Sequence, residues 1–105
     1  MKYYSFVIVL AITLSTFVAH AATGVQLISL CQDKDGSCAG YINVVAAIFR
    51  AGKPVHGLTA CIPDTVEIDQ MIGISIHWME ENPQNRTDTS SKIVAAALSD
   101  AFPCS

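Results

Sequence analysis

Four cysteines, Cys31, Cys38, Cys61 and Cys104, constrain this chain more than any other feature, because all of them lie beyond a segment built to be removed. The opening MKYYSFVIVLAITLSTFVAHA has a positive charge at Lys2, an apolar run from Phe6 to Leu14 and the small-residue ending Ala19-His20-Ala21. That order reads as an export signal, residues 1–21, cleaved after Ala21. The apolar run is short for a membrane span of roughly 20 residues, and no second apolar segment follows it. A lipid-anchored product would need a cysteine at the cleavage point, whereas the first one is Cys31. The expected product is one domain, residues 22–105, with no membrane attachment after cleavage.

In an oxidising compartment an even number of cysteines reads as two disulfides, and four cysteines allow three pairings. No Cys-x-x-Cys pair occurs, so neither a zinc knuckle nor a thioredoxin-like redox motif is supported. Covalent staples also suit the size, since a domain this small has little core to stabilise it. Removing Lys2 leaves five Lys and Arg against nine Asp and Glu, with the acidic residues scattered. That balance argues against nucleic acid as a partner and favours a basic protein.

Hydrophobic periodicity predicts an all-α fold, a small disulfide-stapled bundle of about four helices. The first helix is expected over Gly24 to Gln32, capped by Thr23, with Leu27, Ile28 and Cys31 on one face. The second begins at the N-cap Ser37 and carries Tyr41, Val44, Val45, Ile48 and Phe49 inward. It stops at Ala51-Gly52, ahead of Pro54. A connection over Lys53 to Asp64 leads to a third helix, Thr65 to Asn82, burying Ile68, Met71, Ile72, Ser75, Ile76 and Met79. The polar stretch NPQNRTDTS then leads to a fourth, Asp88 to Ala101, with Val94, Ala97, Leu98, Ala101 and Phe102 on its apolar face.

The stretch LCQDKDGSCAGYI poses the main chemical choice. Asp33, Asp35 and Ser37 resemble the start of a calcium loop, but Cys38 stands where that loop needs glycine and Val44 where it needs a bidentate glutamate. The surviving reading is a tight corner in which Gly36 permits reversal and a Cys31 to Cys38 bridge pins two helices. Cys61 would then pair with Cys104. The rival pairing, Cys31 with Cys104 and Cys38 with Cys61, stays open.

Catalysis finds little support in the residues. His56 or His77 with a thiol would need a free thiolate, and two disulfides leave none. Glu80 and Glu81 are adjacent, so on a helix they point about 100° apart and do not converge as an acid and base pair. No phosphate loop, nucleophile elbow or metal-binding helix motif is present, and no cofactor or metal is expected. Asn85-Arg86-Thr87 fits a glycosylation sequon, which matters only in a eukaryotic secretory pathway.

Four stretches in order, CAGYINVVAAIF at 38–49, CIPDTVEIDQMI at 61–72, WMEENPQNR at 78–86 and IVAAALSDAFPC at 93–104, resemble the Rap/Tai family of immunity proteins found with bacterial type VI secretion. The resemblance covers nearly all of the expected mature domain. Its anchors are the Cys-x-Gly-Tyr-Ile start, the Cys-x-Pro connection, Gln70, the Asn-Pro turn and the closing Ala-Phe-Pro-Cys. It implies a non-enzymatic periplasmic helical protein, often a homodimer, that binds an incoming peptidoglycan amidase and blocks its cleft.

The shared motifs read as structural, with Gly40 allowing close helix packing and Tyr41 filling the core. Contact with the effector is expected instead from Trp78, Glu80, Glu81, Asn85, Arg86 and Asp88, with Trp78 also a candidate dimer anchor. Two other readings fit the same residues. One is an acid-responsive periplasmic chaperone. The other is a small-ligand carrier with Met71, Met79 and Phe49 around a cavity.

Overall fold

The computed structural model describes Thr23, Gln26, Leu27, Cys31 and residues 36–105, with only the backbone of Ser37. Three α-helices, α1 (Ser37–Arg50), α2 (Ile68–Glu81) and α3 (Ser90–Ala101), pack against one another, and a 3-10 turn at Pro83–Asn85 joins the last two. Among the described residues there is no strand, only isolated bridges between Thr23 and Thr89 and between Val55 and Leu58. The all-α expectation holds, and the second, third and fourth expected helices are the three helices bounded among the described residues. Of the first expected helix only Gln26, Leu27 and Cys31 are described, and all three are helical. The export signal and Ile28 lie outside the described residues.

At the start of α1, Gly36 occupies the N-cap with φ 89°, a left-handed conformation that glycine adopts without steric cost. This corrects the expected cap, since Ser37 is already the first helical residue. Cys31 and Cys38 are bonded across the corner, with their Cα atoms 4.8 Å apart. The helix ends as the sequence suggests. Lys53 N–H reaches Ile48 C=O and Gly52 N–H reaches Phe49 C=O, a Schellman closure around Gly52 at φ 79°.

The buried face of α1 differs from the expected one. Cys38, Ile42, Val45, Ala46 and Phe49 point into the core, Tyr41 and Ile48 are half-buried, and Val44 is 62% exposed. Between positions 41 and 49 every residue but Asn43 is apolar, so periodicity does not choose between neighbouring faces. The disulfide does choose, because it anchors Cys38 in the core, and Ile42, Val45 and Phe49 follow at helical spacing. Gly40 is also corrected. It is exposed, and a Cβ placed there would meet no atom of the described residues within 4 Å, so it serves no helix packing among them.

The connection after α1, expected as an irregular loop, contains a two-residue reversal. Val55 and Leu58 exchange backbone hydrogen bonds of 2.9 Å in both directions, with His56 at φ 50° and Gly57 at φ 76° between them. Two positive φ values in a two-residue loop make a type I′ turn. Arg50 then secures the chain as it leaves this turn, its Nη2 donating to Pro63 C=O at 3.0 Å and Val66 C=O at 3.1 Å. Cys61 is bonded to Cys104, and its N–H donates to Phe102 C=O at 2.8 Å, so sulfur and backbone together tie the connection to the chain end.

Helix α2 begins at Ile68, three residues later than expected from Thr65, after a turn in which Val66 N–H bonds to Pro63 C=O. Glu67 is its N-cap. Gln70 Oε1 accepts the Glu67 N–H at 2.9 Å, one arm of a capping box, which gives that glutamine a structural task. Met71, Ser75 and Met79 are fully buried, while Ile68, Ile72 and Ile76 are half-buried at the edges of the same stripe.

Helix α3 starts at Ser90, with Thr89 rather than Asp88 at its boundary. Ser90 Oγ donates to Thr23 C=O at 3.2 Å, and Gln26 Oε1 accepts the Thr23 N–H at 2.9 Å, joining the N-terminal end of the domain to this helix. Ile93, Val94, Ala95, Ala97 and Leu98 are all buried, an arc wide enough to face α1 and α2 together. Ala101, expected inward, is exposed, and Phe102 is half-buried. Full burial of each larger apolar side chain contributes about 1.5 to 3 kcal/mol, so Ile93, Val94 and Leu98 make α3 a substantial part of the core.

Ser75 Oγ is completely buried and has no hydrogen-bond partner among the described residues. An unpaired buried hydroxyl costs about 1 to 3 kcal/mol, and alanine is the better helix former. Ser75→Ala should therefore stabilise the domain by about 1 kcal/mol, read as a higher urea midpoint at unchanged slope.

Candidate interaction surface

The loop between α2 and α3 is organised by its own side chains. Asn82 ends α2 by directing both its N–H and its Nδ2 to Trp78 C=O, at 3.0 and 2.8 Å, and Pro83 blocks continuation. Asn85 Nδ2 donates to Asp88 Oδ2 at 3.2 Å, Asp88 N–H returns to Asn85 C=O at 3.0 Å, and Arg86 Nε reaches back to Met79 C=O at 3.4 Å. Lys92 Nζ stands 4.0 Å from Asp88. Of the six residues singled out for effector contact, Asn85, Arg86 and Asp88 are thus half-buried and engaged within the chain.

The other three sit on or beside an outward face of α2. Glu80 is exposed. Glu81, also exposed, lies 3.0 Å from His77 Nε2 one helical turn earlier. Trp78 is half-buried, and its indole N–H donates to Asp100 Oδ2 on α3 at 2.7 Å. A groove of about 340 Å³ runs here between α2 and α3. Ile74, Ala97 and Ala101 give it apolar lining, and Glu81 and Asp100 bring two carboxylates to it. Sequence reasoning missed Asp100, because nothing in local spacing links it to a tryptophan 22 positions earlier. The His77 and Glu81 pair was legible as an i, i+4 contact.

A second surface lies on α1. Gly40, Tyr41, Val44 and Val45 line an almost wholly apolar depression of about 440 Å³, which Ser91 of α3 borders. His56 Nε2 lies 2.8 Å from Ser91 Oγ, so the type I′ turn is fastened beside it. The cysteines take no part in either surface, and all four are paired. A cysteine and histidine nucleophile pair accordingly has no thiolate to use. Met71 and Met79 lie inside the core cluster and line neither surface, and the depressions that Phe49 lines beside Ala60 and Cys61 include neither methionine, so among the described residues the three share no cavity.

The paired loop contacts predict a coupled effect. Asn85→Ala and Asp88→Ala should each lower stability by about 0.5 to 1.5 kcal/mol, and the double variant should cost less than their sum, since both remove one interaction. Glu80→Ala should stay within about 0.5 kcal/mol. Thermal or urea unfolding of the four proteins gives the cycle.

Residues 23–104 match the family model of the Rap1a immunity proteins. No curated protein and no solved structure matches the chain. The matched span takes in both disulfides, all three helices and both surfaces just described. By that match the chain belongs to the family of Rap1a immunity proteins.

Proposed function

We propose that residues 1–21 direct export and are removed, and that residues 22–105 act in the periplasm as an immunity protein against a peptidoglycan amidase delivered by type VI secretion. Membership of the immunity family carries this reading, since an immunity protein implies a cognate effector to bind. Two further features support it. Both disulfides suit an oxidising compartment outside the cytoplasm. The closed core, with Met71 and Met79 fully buried, suits a protein that presents a shape and favours it over a carrier. Protection then consists of occupying the amidase's catalytic cleft, without turnover by the immunity protein.

The proposed working form is a homodimer. Its support is α1, where Val44 is 62% exposed and Gly40 leaves open space next to Tyr41. A glycine inside a helix costs about 1 kcal/mol relative to alanine, and no packing among the described residues accounts for it here. A second copy laid along this face would use both the apolar area and the close approach that glycine allows.

Two measurements test these statements. Mature, oxidised protein added in stoichiometric excess should abolish peptidoglycan hydrolysis by the amidase encoded beside it, whereas undiminished hydrolysis would reject the assignment. Val44→Asp should convert a dimer to a folded monomer in sedimentation equilibrium, weakening association by at least about 100-fold, because the new carboxylate would be desolvated without a partner. A dimer unchanged by this substitution would remove α1 as the contact.

A further inference from the structure

We infer that the groove between α2 and α3 is a socket for an arginine side chain presented by the effector. This deepens the immunity reading and rests on it for the identity of the partner. Ile74, Ala97 and Ala101 offer apolar surface, Trp78 adds an indole, and Glu81 and Asp100 supply two carboxylates. No lysine or arginine lines it among the described residues. The histidine present, His77, sits 3.0 Å from Glu81.

Such a lining fits one kind of occupant, an aliphatic stem with a planar cationic head. The stem would cover the alanines and Ile74, as the methylenes of long basic residues do on apolar surface. The guanidinium would lie beside both carboxylates and against the indole, combining charge-assisted hydrogen bonds with cation–π attraction. Lysine, a compact and strongly hydrated charge, uses the flat indole less well. Asp100 is already oriented for this task. Its Oδ2 accepts the Trp78 N–H at 2.7 Å, which fixes the carboxylate and the ring relative to each other and leaves Oδ1 without a hydrogen bond or ion pair among the described residues. The balance of the whole chain, nine acidic residues against six Lys and Arg, attracts a basic surface in the same sense.

The test uses Trp78 as its own reporter, since it is the only tryptophan in the protein. In nitrogen-15-labelled mature protein its indole N–H gives a single resonance, to be followed while N-acetyl-arginine methylamide is added. The neutral isostere, N-acetyl-citrulline methylamide, is the control. The arginine probe should produce a saturable shift and bind at least about fivefold more tightly than the citrulline probe, and Asp100→Asn or Glu81→Gln should each weaken it about five- to tenfold. Asparagine at position 100 keeps an acceptor for the indole, and Glu81 is an exposed helix-end residue, so a folding defect in one variant leaves the other to decide. Equal response to both probes, or unchanged affinity in both variants, would overturn the socket.

The link to the effector is read separately. Glu81→Lys should weaken amidase inhibition at least about 30-fold while the dimer and the fold persist. Full inhibition by this variant would overturn the groove as the contact and leave the immunity reading intact. Arginine-probe binding together with a wild-type protein that does not inhibit would instead overturn the immunity reading.

Discussion

The buried sulfur of Cys38 fixes the rotation of α1, and the arrangement of the rest of the bundle depends on that choice. Its partner Cys31 lies across a corner that Gly36 turns with a positive φ, so bond and glycine impose one geometry together. Once Cys38 points inward, Ile42, Val45 and Phe49 form the wall against which α2 and α3 close. The second bond, Cys61 to Cys104, performs the same task at the other end by holding the chain terminus to the connection. Loop-entropy reasoning gives about 2.5 kcal/mol for the short bridge and about 4 for the long one. For domains whose net stability is about 5 to 15 kcal/mol, contributions of that size decide whether the chain holds its shape.

Holding a shape is what an immunity protein needs. The two outward surfaces are built from helices that the core and the disulfides already immobilise, so recognition requires little ordering when the partner arrives. They also differ in chemistry. The α1 face is nearly all apolar, which suits contact with a second copy, whereas the groove between α2 and α3 is apolar inside and acidic beside it. The proposed dimer and the proposed effector contact share no lining residue, so one protomer can engage both at once.

Much of the architecture was legible in the sequence, and its failures have identifiable causes. The stop at Gly52, the Met71, Ser75 and Met79 stripe and the Asn82-Pro83 break all rest on local rules, which the structure follows. The inward face of α1 was misread because the segment from Tyr41 to Phe49 is apolar nearly all round, and only a distant constraint selects a side. His56 and Gly57 form a type I′ turn although histidine is an uncommon first residue there, so composition gave no warning. At the interaction surface, Trp78 was identifiable as a candidate anchor and Glu81 as an exposed carboxylate on the same helix. Their counterpart Asp100 comes from another helix and becomes visible only once α2 and α3 pack. Asn85, Arg86 and Asp88 looked like an open polar loop, and their mutual hydrogen bonds turn most of that polarity inward.

A structure of the oxidised mature protein bound to the proposed amidase effector tests the central claim most directly. The account predicts that α1, α2 and α3 superpose on the free protein with backbone shifts below about 1 Å, both disulfides intact, and the effector's catalytic cleft covered. An amidase bound with its cleft open, or a bundle rearranged to make the contact, would contradict it.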